Sequence, residues 1–465
     1  TDEDGLSYWQ QIEVTGLTQG TGYHFRIRAK DYKGNETISG DSTFTTRTQI
    51  ELDSIVRAAR PLGDLPKVYY VKTDGNDSLS GLSIDSAWQH PSYATQIAEA
   101  GDTIYLLDGT WYGEYCVFAN SGIETYHIVV NAYSGNPILD GEDSTDCCFE
   151  SWSNSYIDIK NISIRNYIDK GIIFVYGGHF NIQNVTIAGA SFAVYVSGLS
   201  YAVIDNCNFS NANWSTVQIS AETAPLSNVK VSNCVLNHSI DHGHIDICCT
   251  YGVDFIAILD NVFTHSGTSD LGSRTHNSGP IKKMSVCNNV FINDLSNTFN
   301  GIHYLYCTDL TLYNNSFSNY KGIDAEAGYI LGHDIVSSNN IFLNNRVDMS
   351  ISADSGYDVS FLSINDTFSS IGVNIGNISF LNPALNYFTL LPYETANITI
   401  KYTNGKVFGI KILDTAGTYI IDTPSYYFTN SRGAVISTSY EGSLFSITSC
   451  PTTVAKRSFS PYRLI

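Results

Sequence analysis

The sequence predicts an all-β chain whose main body is a right-handed parallel β-helix. Three observations lead there: a recurring four-residue phrase, the length of its period, and the alternating runs that precede it. The phrase is Asn-x-x-apolar, seen at Asn161–Ile164, Asn184–Ile187, Asn206–Phe209, Asn233–Leu236, Asp260–Phe263, Asn288–Phe291, Asn314–Phe317, Asn339–Phe342 and Asn365–Phe368. Successive starts lie 23, 22, 27, 27, 28, 26, 25 and 26 residues apart. A period of about 20 to 50 residues marks a solenoid, in which each repeat buries its apolar face only against its neighbours. Runs such as Ile157–Asn161, Val229–Asn233 and Leu310–Asn314 alternate at period two, so each is a strand with one face inward. The Asn then ends the strand, because it tolerates the left-handed conformation of a sharp bend. Stacked on consecutive turns, these asparagines are expected to pair their amides in a ladder. Handedness follows from the general rule for parallel crossovers.

Taken in order, residues 1–47 hold Leu17, Thr21, Tyr23, Phe25, Ile27, Ala29, Asp31, Gly34 and Asn35. This spacing resembles the last strands of a fibronectin type III domain, in which a tyrosine corner packs nearby. The resemblance covers half a domain and implies that the chain begins within one. The exposed half-sheet is a surface for packing on the solenoid or on another copy of the chain. Residues 48–66, with Arg57, Arg60, Pro61 and Pro66, read as a linker. Tyr69–Asp77, Gly81, Ala87-Trp88, Ala100–Thr110 and Gly135–Gly141 resemble the opening of secreted pectate-lyase-like β-helix proteins. That resemblance implies a first strand, a short capping helix near Tyr93–Ala100 and the first turns of a helix domain spanning 67–387. Gln89-His90-Pro91 departs from the family pattern, which has Thr or Ser soon after the Trp. After Phe380 the period stops. Residues 388–465 alternate between turns at Asn404-Gly405 and Ala416-Gly417, as in a small antiparallel β domain that caps the solenoid.

Lys and Arg number 25 against 45 Asp and Glu, a formal charge of −20, which argues against nucleic-acid binding. The longest apolar runs fall short of a membrane span. With few charges and no initiator Met, the sequence reads as a mature or truncated secreted or cell-surface chain. Ten cysteines show no CxxC zinc pattern. Cys207 and Cys234 share a repeat position. They read as stacked buried thiols, with a disulfide as the alternative at the rung spacing. Sequons at Asn161 and Asn184 belong to the ladder.

Of eleven histidines, six fall between residues 238 and 303: His238, His242, His244, His265, His276 and His303. Alignment of Val194/Val196, Val217/Ile219, Ile245/Ile247 and Ile302/Tyr304 as inward pairs points the residues between them outward. Those are Thr216 and Gln218, then His244 and Asp246, then His303. An irregular insert, Ser269–Asn277, places Arg274 and His276 at the same level, and Asp241, His242 and Asp270 come from adjoining bends. Glycoside hydrolysis needs one carboxylic acid and one carboxylate, which Asp246 with Asp241 or Asp270 supply; His244 or His303 tunes or replaces one. Elimination from a uronate needs a cation, here Arg274, and a base, here His276 or His303. Trp214, Tyr195, Tyr251 and Tyr320 suit stacking on sugar faces, with Gln218 and His242 as polar contacts. The plainer reading makes each His a solvated surface residue and Asp241–His244 a self-capped turn. Zinc at His242, His244 and Asp246, or Ca2+ at the aspartates, is a further alternative to a metal-free site.

The sequence thus favours a secreted enzyme that cleaves a polysaccharide, uronate-containing, with hydrolase ahead of lyase. The combination with a fibronectin-type module is similar to archaeal surface enzymes of the disaggregatase type, which implies a chondroitin-like matrix as substrate. The competing reading is a noncatalytic surface or matrix protein that uses the solenoid as a spacer.

Overall fold

The structure, a computed structural model, describes residues 14, 16–30, 36–60, 63–264, 268–274, 281–293, 300–320, 328–343, 345 and 349–352, and then the backbone of the strands between 361 and 449. Among the described residues strand far outweighs helix, and the strands are arranged as a parallel β-solenoid. Two compact units are distinguished: Thr1–Gly267 with Ser273–Cys287, and Thr268–Gly272 with Asn288–Ile465.

In the first unit each turn contributes three strands, which stack into three faces. Face A holds Cys147–Trp152, Lys170–Val175, Phe192–Ser197, Ser215–Ser220 and Ile245–Cys248. Face B holds Ser155–Lys160, Gly178–Gln183, Ser200–Asp205, Leu226–Ser232, Val253–Leu259 and Ile281–Cys287. Face C holds short strands, among them Ser163–Arg165, Thr186–Ala188, Asn208–Ala212, Val235–Ser239 and Val262–Thr264. The register matches the alternation: Val194 pairs with Val217 and Val217 with Ile245, all fully buried. Each such aliphatic side chain contributes about 1.5–3 kcal/mol on leaving water.

The bend between faces B and C is where the repeated Asn works. Asn161, Asn184, Asn206, Asn233 and Asp260 all lie at φ of 52–57°, and in the second unit Asn288, Asn314 and Asn339 do the same at 53–58°. Their amides do form a ladder: Asn184 Nδ2 donates to Asn161 Oδ1 (2.6 Å), Asn161 Nδ2 to Asn131 Oδ1 (2.7 Å), and Asn314 Nδ2 to Asn288 Oδ1 (2.9 Å). Cys207 and Cys234 are free and buried, which favours the thiol reading over a disulfide.

Three expectations change. Residues Gln49–Ala59 of the expected linker form a helix, started by a capping box of Thr48 and Glu51 and seated by buried Val56. The capping helix runs over Pro91–Ile97, two residues early, because Pro91 occupies its first turn. His90, left unexplained by the sequence, is held there by Asp77, whose Oδ2 meets His90 Nδ1 at 2.6 Å while Oδ1 accepts from the Gln89 N–H at 2.7 Å. Close by, Gly81 passes under the Trp88 ring so tightly that a Cβ would come within 2.5 Å of it. The last change concerns the C-terminal region. In the second unit parallel pairing continues past Phe380: Val373 pairs with Ile398, and Tyr387 with Lys411. The antiparallel pattern starts only with Ile410–Asp414 against Gly417–Ile421, followed by a sheet of Phe428–Thr429, Val435–Ser439 and Leu444–Ser449.

At the N-terminus Gly22–Phe25 pairs antiparallel with Ser42–Thr45, and Arg28–Lys30 with Glu36–Ile38. Phe25, Ile27, Ile38 and Phe44 are exposed there. Asp31, Gly34 and Asn35 lie outside the described residues, as do Pro61, Asn365 and the turn at Asn404-Gly405. Among the described residues, no helix is long and apolar enough to cross a membrane.

Candidate functional site

The outward side of face A in the first unit carries Asp246 and the groups expected around it. Gln218 lies directly in register with Asp246, and Tyr195 with Gln218. One column therefore runs Ile173, Tyr195, Gln218, Asp246, with a rung spacing of about 4.8 Å. Outward does not mean exposed, however. Thr216 and His244 have no exposure, while Gln218 retains 4% and Asp246 5%. Gln218 uses its amide within the protein, donating to the Asp246 carbonyl and the Cys248 sulfur, both at 3.1 Å. It sets the spacing of two turns rather than facing solvent.

His244 is corrected most. Period two places it outward, but the bend from face C swings its ring into the corner of the solenoid. Its Nε2 lies 2.7 Å from the Thr264 carbonyl and its Nδ1 2.9 Å from the Thr216 hydroxyl. Since a carbonyl only accepts, Nε2 carries a proton, and Nδ1 shares its hydrogen bond with the Thr216 hydroxyl. Both ring nitrogens hold the corner, so neither is open to act as an acid or base. His238 lies on the face C strand Val235–Ser239, at φ 60°, with Nδ1 2.9 Å from Asn211 Oδ1.

Trp214 and the half-buried His242 form the part of the site open to solvent. Their rings stack at 4.0 Å and 14°, and the His242 N–H donates to the Trp214 carbonyl at 3.0 Å. Trp214 is 37% exposed. Phe192 lies 6.4 Å from Trp214 and 5.7 Å from Tyr195, and the Lys170 ammonium sits over both Phe192 and Tyr195 at 5.5 and 5.3 Å. At the far edge of the face Trp152 packs on Tyr176, and Glu150 accepts from the Tyr115 hydroxyl and the Trp152 indole. Lys170, Phe192, Trp152, Tyr176 and Glu150 were not picked out from the sequence. The signal was there, as bulky residues recurring at the strand ends of consecutive turns. Asp241 is exposed in the bend beside His242.

The remaining candidates belong elsewhere. Asp270 lies on the strand Ser269–Arg274, not in a bend, so the expected irregular insert is regular as far as Arg274. It is 1% exposed and accepts a hydrogen bond from the Tyr320 hydroxyl. Tyr320 is itself fully buried, which removes it from the sugar-stacking group. His303 is half-buried, in register with Gly272, and burial lowers its pKa from the ordinary value. Asp270 and His303 are in the second unit; Asp241, His242, His244 and Asp246 are in the first. The side chain of Arg274 and the whole of His265, His276 and Lys321 lie outside the described residues. Lys282 and Lys283, expected in bends, are on the strand Ile281–Cys287, and the Lys283 ammonium covers the Phe255 ring at 4.6 Å. Among the described residues, no three His, Cys, Asp or Glu side chains are grouped to hold a metal ion.

Residues 69–246 match the family described as Pel9A-like, right handed beta helix region, a span that ends on Asp246. No curated protein matches the chain. Among solved structures it is similar to a family 28 exopolygalacturonase from Yersinia enterocolitica, with a TM-score of 0.50 at 12% identity over 83% of this chain and 85% of that one. It is also similar to a GH136 lacto-N-biosidase from Eubacterium ramulus (TM-score 0.47, 13% identity, 75% and 67% covered) and to PfbA, a surface adhesin of Streptococcus pneumoniae (0.45, 14%, 75% and 92%). At this identity the likeness is one of fold, and a fold of this kind hosts many activities.

Proposed function

We propose that this chain is a secreted enzyme that cleaves an extended, uronate-containing polysaccharide bound across the turns of face A, by hydrolysis rather than elimination. The observation that carries the reading is Asp246. It is a carboxylate almost withdrawn from solvent, on the same two turns as the Trp214–His242 stack. Aromatic faces next to a sheltered carboxyl are what sugar binding with acid–base cleavage requires. The match of residues 69–246 to a pectate-lyase-like helix region supports a polysaccharide ligand. So does the shared fold of an exopolygalacturonase, an enzyme named for a uronate polymer. Asp246 is assigned as the proton-transferring group, Asp241 and His242 as its polar partners, and Trp214 and Tyr195 as stacking surfaces.

The test is digestion of a panel of polyuronates and neutral polymers, with new reducing ends and ultraviolet absorbance followed together. Hydrolysis raises the first without the second, whereas elimination raises both. Asp246→Asn is expected to lower turnover by about 10²–10⁴-fold. Full activity in that variant would remove Asp246 from the chemistry. Polymer binding with no product from any substrate would select the noncatalytic reading.

A further inference from the structure

The bend that joins face A to face B carries a cleft of about 390 Å³ on the first unit, apart from the Asp246 column. Its floor is a second column, read from the register: Ser200 pairs with Ser227, Ser227 with Asp254, and Asp254 with Lys282. Two hydroxyls, a carboxylate and an ammonium thus follow one another on successive rungs, about 4.8 Å apart. Tyr251, 60% exposed, and Gly252 form the wall.

Two features of this column call for a ligand. Oδ1 of Asp254 is buried and has no hydrogen-bond partner among the described residues. A buried carboxylate oxygen without a donor is costly, so a donor is expected to reach it. Lys282, one rung on, is exposed and makes no ion pair among the described residues. A group that offers hydroxyls to Asp254 and the two serines, a carboxylate to Lys282 and an apolar ring face to Tyr251 is an acidic sugar. The volume lies at the small end of ligand sites, which span about 300–1,000 Å³.

We infer that this cleft is an ancillary binding subsite for a uronate residue, separate from the site of cleavage. The inference rests on the reading above only in taking the ligand to be a saccharide. Neutral sugars satisfy Asp254 and Tyr251 but leave Lys282 unused, so the subsite selects acidic units.

The experiment is calorimetric titration of the full chain carrying Trp214→Ala and Asp246→Asn, which disables the face A strip. The probes are trigalacturonate and the same trimer with its carboxyl groups reduced. Trigalacturonate is expected to bind at least tenfold more tightly than the reduced trimer, and Lys282→Gln or Tyr251→Ala to weaken it at least tenfold, with unchanged circular dichroism. Equal binding of the two trimers, no effect of Lys282→Gln, or no binding at all overturns the proposal. Failure of the cleavage reading, seen as full activity in Asp246→Asn alone, leaves these binding results standing.

Discussion

The corner just after the repeated Asn is filled by different chemistry in the two units. In the first unit it holds Ile162, Val185, Cys207 and Cys234, and only its last turn holds Asn261. In the second unit it holds Asn289, Asn315 and Asn340, all nearly or fully buried. The thiols imitate half of what the amides do. Cys207 Sγ lies 3.6 Å from the Ile182 carbonyl and Cys234 Sγ 3.8 Å from that of Ile204, three positions before the same corner on the previous turn, and each has a shorter carbonyl contact two residues back on its own turn, to Asp205 (3.2 Å) and Ser232 (3.0 Å). Asn261 Nδ2 reaches the corresponding Val231 carbonyl at 2.9 Å, and Asn340 Nδ2 that of Leu312 at 3.0 Å. The amide also accepts from the backbone. Asn315 Oδ1 takes the N–H of Asn289, and Asn340 Oδ1 the N–H of Asn315, each at 2.9 Å. A strand bend that buries its N–H groups needs that acceptor. The Phe291, Phe317 and Phe342 rings stack beside it at 4.5 and 4.9 Å, nearly parallel.

The sharpest way to break this comparison is to remove one amide. Asn315→Ala removes the Oδ1 that accepts from the Asn289 backbone N–H and side-chain Nδ2. Losing a buried acceptor costs about 1–3 kcal/mol, and a loss of that order is expected. Cys207→Ala removes only a weak donor and a small volume, for about 1 kcal/mol. Asn315→Cys should fall between Asn315 and Asn315→Ala, since it restores the donor but not the acceptor. Denaturation midpoints, with amide exchange at Asn289 as the local probe, give the order. Equal losses for Asn315→Ala and Cys207→Ala would show that the corner is held by packing alone.

A smaller effect is expected at the outer ladder. Asn184 lies at φ 54°, which costs an Ala about 1 kcal/mol that Gly does not incur. Asn184→Ala should therefore destabilise more than Asn184→Gly, although both lose the bond to Asn161. The reverse order would mean that the positive backbone angle does not select Asn at the bend.

These residues also show what the sequence could disclose. The bend asparagines were legible because one residue type answers a local demand of the backbone, turn after turn. Strand register was legible too, because Val194, Val217 and Ile245 repeat at period two. The inner ladder was overlooked because Asn289, Asn315 and Asn340 occupy a position that earlier turns give to Ile, Val or Cys, so no single residue type repeats throughout. Alternation fixes which way a side chain points but not what covers it, which is why it places His244 outward although its ring is buried; Asp270 reads as part of a bend because the insert around it breaks the repeat, whereas it lies on a strand. The helix Gln49–Ala59 was legible in principle through Thr48 and Glu51, but Arg57, Arg60 and Pro61 drew the reading toward a linker.

The smallest expected effect separates the ladders from the titrating part of the molecule. Amides do not ionise, and the hydrogen bond with Cys207, together with burial, keeps the Cys234 thiol well above its ordinary pKa, so neither corner responds to acid. Asp64 does respond. Hydrogen bonds from Arg60 and Lys67 lower its pKa from 3.8 to about 2. A carboxyl depressed in the folded state stabilises fully above its unfolded pKa, and that stability is lost as pH falls through the folded value. Acidification from about pH 4 to 2 should therefore erode stability in the parent, and less steeply in Asp64→Asn. Asn315→Ala should show the parent's slope on a lower baseline. A slope altered by Asn315→Ala but not by Asp64→Asn would place the acid-sensitive contact in the second unit, against the division of labour drawn here.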